Sequence, residues 1–331
     1  MYGVKPPRVL RGDKARFGMV MIQERVDLKP YTYMKVGGQA RFLVDVKNAE
    51  DLASAVAFAK KQKVPFVVLG AASNVVVADS GFPGLVIRMQ MRGIERKENT
   101  LTADAGVPNA VLVARTVADG LSGLEWAIGI PGTVGGSVRG NAGCFGGEIK
   151  DVLQTVRVFN TETGKVAEHD SVFCHFGYRE SVFKRHPNLI ILSATFTLRP
   201  GNPEVSQRMV RHYTAGRSKS QDIGESSAGC MFKNVAWPTG DAQRKRLLHF
   251  LPQLAEFTQF PTIPAGFLID HLGLKGRAIG GVSISKKHGN YMINRGNARA
   301  EEVVMLVGLV KEYVHRKYDL HLEEEIQYIG F

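Results

Sequence analysis

Cysteine is scarce in this 331-residue chain, which contains only Cys144, Cys174 and Cys230. An odd number of widely spaced cysteines argues against a disulfide scaffold and favours a reducing compartment, so we expect a cytoplasmic protein. Long apolar runs are also missing, since no stretch approaches the ~18 apolar residues of a membrane-spanning helix. The first residues show no apolar segment of the secretory type. We therefore expect no membrane partner.

The common metal and nucleotide motifs are absent as well. The nine histidines show no metal-ligand spacing, and His288, in KKHGNY, is more typical of a structural residue. Neither G-x-G-x-x-G nor G-x-x-x-x-G-K-[ST] occurs, which argues against the Rossmann and P-loop modes of nucleotide binding. We expect no metal site.

Acidic residues are too few to balance the basic ones, and the net charge is +12. Such a charge attracts phosphates or nucleic acids. The basic residues are spread along the chain, and their single local cluster lies in residues 5–16 among prolines and a glycine. We interpret residues 1–21 as a flexible basic extension. Because no basic stripe interleaved with aromatic residues is present, a phosphate-bearing small molecule is favoured over nucleic acid.

Hydrophobic patterning predicts a mixed arrangement of strands and helices. Residues 41–46 are typical of a strand, Asn48 and Asp51 of a helix start, and residues 65–69 of a buried strand, which together form a parallel β-α-β unit. A second helix is predicted from Pro108 to a cap at Gly120. Residues 151–160 and 189–198 alternate as strands. The turn-rich residues 199–203 predict a linker, which sets a domain boundary after residue 200.

The last third is predicted to contain a helix followed by a strand. Residues 301–317 carry apolar side chains at helical spacing, which indicates a core helix. Beyond it, residues 320–328 alternate as a strand, with a possible bulge at Glu324. Glu325 and Glu323 share the polar face of that strand, so either could serve as an acid.

Two glycine-rich loops stand out, LGAASNVVVADSGFPG at residues 69–84 and GIPGTVGGSVRGNAGCFGG at residues 129–147. Glycine lets backbone amides approach a ligand closely, although it also serves tight turns. Two long loops, each following an apolar segment, favour a cradle for a pyrophosphate.

A series of motifs supports a more specific interpretation: VGG (36–38), LGAASN (69–74), GIPGTVGG (129–136), NAGCFGGEIKDV (141–152), YRESVFK (178–184), AGCMFKN (228–234), GFLIDHLGLKG (266–276), GGVSISKKHGNYMIN (280–294) and LEEEIQYIG (322–330). In this order, from about residue 32 onward, the chain resembles the UDP-N-acetylenolpyruvoylglucosamine reductases, flavoenzymes of peptidoglycan precursor synthesis. The first ~20 residues lie outside the resemblance.

The resemblance implies an α+β fold. Residues 22–200 would form a two-lobed FAD-binding domain of the vanillyl-alcohol-oxidase/PCMH type, and residues 201–331 an α+β substrate domain. It implies FAD and NADPH as cofactors and a UDP-sugar as substrate, with roles in cell wall biogenesis, cell shape and cell division. We expect a monomer. The rival is an FAD oxidase or dehydrogenase of the same fold that acts on a small hydroxy acid.

The resemblance also assigns three catalytic residues, Arg179, Cys230 and Glu325. Arg179 would hold a carboxylate or enolate oxygen, and Glu325 would be the acid facing the flavin. Cys230 stands where many family members carry serine. A thiol is mostly protonated at neutral pH and can donate a proton, although most free cysteines are simply small buried hydrophobes.

Further residues would bind ligands. The implied cofactor-binding residues are Val36, Gly37, Gly70, Ala71, Ala72, Ser73, Asn74, Pro131, Gly132, Thr133, Gly136, Ser137, Asn141, Ala142, Gly143 and Arg217. Of these, Ser73, Asn74, Ser137 and Asn141 are expected to add side-chain hydrogen bonds to the flavin. The implied substrate-binding residues are Tyr178, Lys233, Asn234 and Lys275, of which Lys275 could equally be solvated.

Overall fold

The computed structural model describes residues 14–331. Its strands are β1 Lys14–Phe17, β2 Val20–Asp27, β3 Gln39–Val46, β4 Phe66–Leu69, β5 Val75–Val77, β6 Phe82–Met89, β7 Ile94–Lys97, β8 Thr100–Asp104, β9 Leu121–Ser122, β10 Gly143–Cys144, β11 Gly147–Glu148, β12 Leu153–Asn160, β13 Val166–Asp170, β14 Leu189–Thr197, β15 Arg199–Pro200, β16 Val235–Ala236, β17 Thr262–Ile263, β18 Ala278–Ile279, β19 Val282–Ile284, β20 Met292–Asn294 and β21 Gln327–Ile329. Its α-helices are α1 Ala49–Gln62, α2 Asn109–Ala118, α3 Val134–Arg139, α4 Val182–Arg185, α5 Pro203–Ser220, α6 Asp241–Phe250, α7 Ala265–His271 and α8 Ala300–Tyr318.

The first lobe is a five-stranded sheet in the order β1-β2-β3-β6-β4. Strands β3 and β4 both pair in parallel with β6, which lies between them. Helix α1 connects β3 to β4, and the Asn48 side chain caps it by accepting a hydrogen bond from the Asp51 amide. The predicted β-α-β start is therefore confirmed, with β6 inserted between its two strands.

Part of the predicted N-terminal extension is structured. Strand β1 pairs with β2 through the antiparallel partners Lys14 to Phe17 and Val20 to Gln23. Val20 and Ile22 are buried in the core, because alternate residues of β2 face α1. The prediction of a flexible segment is thus wrong for residues 14–21, and residues 1–13 lie outside the described residues.

The second lobe is an antiparallel sheet in the order β13-β12-β14-β8-β7. Helix α2 begins after Pro108, and Gly120 follows its end at a φ of +67°, as predicted. One hydrophobic core runs through both lobes and includes Val44 from the first sheet and Val156 from the second. The two sheets consequently form one half of the molecule, which is the half predicted above to bind FAD.

Helix α5 also belongs to this half. Arg199–Pro200 pairs with β9, and Asn202 caps α5 through its side chain. Ser206 on α5 donates to the buried Glu125 carboxylate at 2.6 Å, and Tyr213 packs against the core of the two lobes. The predicted linker at residues 199–203 is therefore wrong, and we place the domain boundary after α5 rather than after residue 200.

The C-terminal half packs around α8. Val303, Leu306, Val307, Val310 and Val314 are buried there, as predicted, against α7 and the small sheet β18-β19-β20. The prediction of a continuous strand over residues 320–328 is wrong.

Glu324 makes an isolated bridge with Phe232, and only Gln327–Ile329 forms a strand, which pairs in parallel with β5 of the first lobe. This segment links the two halves. Within residues 14–331, none of the helices is both long and apolar enough to span a membrane.

Candidate active site

The two glycine-rich loops lie against each other at the edge of the FAD-binding half. The Ser73 hydroxyl donates to the Pro131 carbonyl at 2.8 Å. A Cβ atom at Gly70 would lie 2.2 Å from Thr133 Oγ1, and one at Gly132 would lie 3.2 Å from Ser73 Oγ. Glycine is therefore required at Gly70 for the loops to approach this closely. The contact turns two separate loops into one surface of exposed backbone.

A buried cation supports this surface. Arg217, near the end of α5, donates from Nη1 to the Gly129 carbonyl at 2.8 Å and is only 8% exposed. Its Nε is buried and has no hydrogen-bond partner among the described residues. A guanidinium with a spare donor beside exposed glycine backbone has the donor chemistry that a pyrophosphate needs. The residues present thus fit the diphosphate of FAD.

The remaining predicted cofactor residues surround these loops. Val36 is buried, and Gly37 has a φ of +110°; a Cβ atom added there would lie 2.5 Å from Val77 Cβ. Ala71 and Ala72 continue the first loop, Gly136 is exposed in α3, and Ala142 precedes β10, whose first residue is Gly143.

Three of the four side chains predicted to contact the flavin also form hydrogen bonds to side chains of the protein or across the two halves. Asn141 is fully buried, and its amide bonds to Glu148 and Gly177 within the protein. These bonds hold the loop, and a direct contact of Asn141 with the flavin stays a prediction. The Ser137 hydroxyl donates to Asn109, and the Asn74 amide donates to the Glu325 carbonyl at 3.1 Å. Direct flavin contacts by Ser73, Asn74 and Ser137 stay predictions.

The structure brings Arg179 and Glu325 together from opposite halves. Arg179 Nε lies 3.0 Å from Glu325 Oε1, and its Nη2 donates to the Gly143 carbonyl at 2.8 Å. Arg179 has a φ of +56°, an uncommon conformation for a residue with a side chain. Local strain of this kind is typical of functional sites. The guanidinium thereby joins the second glycine loop to the acid.

Glu325 is held by both halves of the molecule. Its amide donates to the Met231 carbonyl at 2.8 Å, while its carbonyl accepts from Asn74. Burial raises the pKa of its carboxyl above the ordinary value, although Arg179, Lys184 and Lys233 oppose that rise. A carboxyl with a raised pKa is suited to acid–base chemistry near neutral pH.

Cys230 lies beside this pair. Burial, and next the negative charge of Glu325, raise the pKa of its thiol to about 12, against the opposing effects of Arg179 and Arg217. The thiol consequently stays protonated at neutral pH and keeps a proton to donate. The three predicted catalytic residues are thus neighbours in the structure.

The predicted substrate residues Tyr178, Lys233 and Asn234 adjoin the same cluster. The Tyr178 hydroxyl accepts a hydrogen bond from the Asn234 amide at 3.2 Å. Lys233 is buried, and its Nζ pairs with Glu180 at 3.0 Å and with Glu323 at 2.5 Å. Burial lowers the pKa of Lys233, but its hydrogen bonds to the two carboxylates outweigh burial and leave the pKa raised.

Glu323, the rival candidate for the acid, differs from Glu325 in its exposure and in its ion-pair partner. Its side chain is 72% exposed and pairs with Lys233, whereas the Glu325 side chain is 19% exposed and pairs with Arg179. The geometry therefore favours Glu325. Lys275 lies apart, in an ion pair with Asp270 at 2.5 Å, and its predicted contact with substrate stays a prediction.

Comparisons with known proteins agree with this geometry. A family profile described as "FAD binding domain" matches residues 40–170. A second, "UDP-N-acetylenolpyruvoylglucosamine reductase, C-terminal domain", matches residues 221–329. The UDP-N-acetylenolpyruvoylglucosamine reductase of Lactobacillus helveticus (strain DPC 4571) is 35% identical over 314 residues, which cover 94% of this chain and 96% of that protein.

The chain belongs to the UDP-N-acetylenolpyruvoylglucosamine reductase family.

Further relatives support this assignment. The reductase of Streptococcus suis (strain 05ZYH33) is 36% identical over 321 residues, covering 96% of this chain and 97% of its own. The crystal structure of UDP-N-acetylenolpyruvylglucosamine reductase (MurB) from Thermus caldophilus matches with a TM-score of 0.74 at 34% identity, covering 94% of this chain and all of that one. The predicted family, α+β fold and FAD cofactor are confirmed.

Sequence reasoning missed three polar residues that contact the predicted site residues. Lys184 donates to the Arg179 carbonyl at 2.6 Å, and Glu180 pairs with Lys233. Tyr291 contacts Cys230 through an isolated backbone bridge. All three lie inside motifs that carried the family resemblance, so a closer examination of each polar residue in YRESVFK and KKHGNYMIN could have found them.

Proposed function

We propose that this chain reduces the enolpyruvyl double bond of UDP-N-acetylglucosamine enolpyruvate to give UDP-N-acetylmuramate, with NADPH as the source of electrons. The observation that carries this proposal is the assembly of Arg179, Glu325 and Cys230, from both halves of the molecule, beside the two glycine-rich loops. FAD bound at these loops and reduced by NADPH would supply a hydride to the terminal alkene carbon.

The chain's own residues would manage the charge and the proton. Hydride addition leaves negative charge on the neighbouring carbon and its carboxylate. Arg179, already held by the Gly143 carbonyl, would offer a fixed guanidinium to that charge. The Cys230 S–H bond would then break and its proton would form the new C–H bond.

Binding and orientation would fall to the surrounding polar residues. Lys233 is buried between Glu180 and Glu323, so its position is fixed before any substrate arrives. Together with Tyr178 and Asn234 it would hold the phosphate-bearing part of the substrate, which the net charge of +12 also attracts. Preorganised donors of this kind spare the cost of ordering them during binding.

The biological setting follows from this activity. UDP-N-acetylmuramate is a peptidoglycan precursor, so the enzyme would serve cell wall biogenesis and, through it, cell shape and cell division. We infer a cytoplasmic monomer. The rival function, an FAD oxidase or dehydrogenase for a small hydroxy acid, remains testable by the same experiment.

The test is an anaerobic two-step titration of the purified protein. NADPH alone should bleach the visible absorbance of the flavin, and the enolpyruvyl substrate should then restore it with formation of UDP-N-acetylmuramate, identified by mass spectrometry. A colourless protein that binds no FAD in titration would refute the proposal. Indifference to NADPH, combined with rapid reoxidation by oxygen, would favour the oxidase.

A further inference from the structure

A tight turn at residues 177–180 forms one side of the candidate active site. The Gly177 amide donates to the Glu180 carbonyl at 3.0 Å, and the Glu180 amide donates back to the Gly177 carbonyl at 3.2 Å. The three side chains that follow Gly177 in this turn each contact the C-terminal half of the molecule: Tyr178 contacts Asn234, Arg179 pairs with Glu325, and Glu180 pairs with Lys233. Glu180 therefore anchors the Lys233 ammonium from the opposite half.

Two carboxylates share the Lys233 ammonium, and they differ in how firmly they are held. Glu180 Oε1 lies 3.0 Å from Lys233 Nζ and 3.8 Å from Lys184 Nζ, so it has two cationic partners. Glu323 Oε1 lies 2.5 Å from Lys233 Nζ, and this is its only ion pair within residues 14–331. The Glu323 side chain is also the more exposed of the two. Because exposed ion pairs contribute little stability, Glu323 is the partner that Lys233 can exchange.

Release of Lys233 by Glu323 requires no movement of the backbone. The Lys233 amide donates to the Glu323 carbonyl at 2.8 Å, and Phe232 forms an isolated bridge with Glu324. These contacts hold the two segments side by side for any conformation of the Glu323 side chain. Rotation about the side-chain bonds is therefore sufficient, and exposed side chains rotate within picoseconds to nanoseconds.

An open cavity adjoins this ion pair. It has a volume of about 320 Å³, and its lining includes Asn234, His321 and Glu323 but not Lys233. Cavities of roughly 300–1,000 Å³ are usual for small-molecule ligands. With both carboxylates in place, the positive charge of Lys233 is outweighed by two negative charges. A diphosphate in the cavity would consequently be repelled until one carboxylate leaves.

We propose that the Glu323 carboxylate occupies the place of a substrate phosphate on Lys233 and is displaced when the diphosphate of the UDP-sugar binds, while Glu180 keeps its contact with the ammonium. This inference rests on the proposed function. The exchange replaces one anion on Lys233 by another, so the ammonium stays paired throughout. Glu323 thereby acts as a specificity-determining residue, because a ligand without a phosphate cannot take its place.

The decisive variant is Glu323→Gln, which removes the negative charge and keeps the size of the side chain. The probe is UDP, titrated calorimetrically into the FAD-loaded wild-type protein and into the variant. Breaking an exposed ion pair costs a factor of roughly 1.4 to 5 in an equilibrium. Because Lys233 is itself buried, we expect the upper part of this range, and the dissociation constant of UDP should fall by about 2- to 5-fold.

The sign of this change separates displacement from a structural role. A carboxylate that merely held Lys233 in place for the ligand would give weaker UDP binding when removed. An unchanged or raised dissociation constant in Glu323→Gln would therefore overturn the inference. Glu323→Ala, which also removes the bulk of the side chain, should strengthen UDP binding as well. Uridine has no phosphate, so its affinity, measured by competition with UDP, should be the same in wild type and Glu323→Gln.

Two controls test whether the effect acts through Lys233. Glu324→Gln removes the same charge from the adjacent residue, whose carboxylate pairs with Lys311 at 2.8 Å, and should leave the dissociation constant of UDP unchanged. Equal strengthening in Glu324→Gln would show a general effect of net charge and overturn the inference. In a Lys233→Met background, Glu323→Gln should strengthen UDP binding no further, and strengthening there would also overturn it.

The outcomes distinguish this inference from the proposed function, because binding of UDP requires no turnover. Reduction of the enolpyruvyl substrate by the wild-type enzyme, together with unchanged UDP binding in Glu323→Gln, would reject the inference alone. Failure of the FAD-loaded wild-type protein to bind UDP would reject the proposed substrate and the inference with it.

Discussion

The raised pKa of Cys230 makes a sharp prediction about the pH dependence of substrate reduction. An ordinary thiol with a pKa near 8.5 would be only ~3% protonated at pH 10, so a thiol donor would lose about 30-fold of its activity there. Burial and the charge of Glu325 instead raise the pKa of Cys230 to about 12. At that value roughly 99% of the thiol remains protonated at pH 10. The donor should therefore stay competent across the whole range from neutrality to about pH 10.

The assay is stopped-flow reoxidation of the NADPH-reduced enzyme by the enolpyruvyl substrate, at a series of pH values. Cys230→Ser is the matched control, because serine can donate a proton but has no thiol to titrate. Dividing the wild-type rates by the Cys230→Ser rates removes ionisations shared by the two enzymes, and the quotient should be flat. A decline of the quotient centred near pH 8.5 would show an unperturbed thiol and refute the reasoning.

Cys230→Ala should slow the reoxidation step roughly 10²- to 10⁴-fold at every pH.

Two other predictions follow from contacts described above. Arg179→Ala and Glu325→Gln should leave bleaching of the flavin by NADPH intact. Each should slow reoxidation by substrate roughly 10²- to 10³-fold, which is the usual effect of removing one preorganised electrostatic contact. Reoxidation at the wild-type rate in both variants would refute the assignment of the site. Burial raises the pKa of Glu125, but hydrogen bonds from Ser206 and the Gly123 amide outweigh burial and leave the pKa lowered. The ionised carboxylate therefore stabilises the fold at pH values above its unfolded pKa. This stabilisation is lost as the pH falls through the folded pKa. The melting temperature of Glu125→Gln should therefore lie below that of wild type at pH 7, with a gap that closes below about pH 4.

The sequence predicted the family, the fold class and the grouping of Arg179, Cys230 and Glu325. These three predictions succeeded because several motifs, spread over most of the chain, occur in the order that is typical of the family. The residues of the site lie within those motifs. The two glycine-rich loops were predicted for a similar reason, since loops without side chains indicate close backbone approach. The contact between the two loops, through Ser73 and Pro131, could not be predicted from local sequence patterns.

The failures share a physical cause. Residues 199–203 have the composition of a linker, but the same residue types also cap helices, and Asn202 does so here. What assigns α5 to the FAD-binding half is the contact of Ser206 with Glu125, which lies 81 residues earlier. Tyr291 was missed likewise, because its pairing with Cys230 arises from a backbone bridge between distant segments. Local periodicity contains no information about such partners.

Glu325 lies on a short segment that both halves hold, and this has a consequence for the order of folding. The hydrogen bond from Asn74 to the Glu325 carbonyl spans 251 positions of the chain. Closing a flexible loop of that length costs about 5 kcal/mol in chain entropy. The bond cannot offset such a cost alone, so the segment should dock only after both hydrophobic cores have formed. On refolding, helical circular dichroism should return before the capacity to reduce substrate, and the acid should reach its place last.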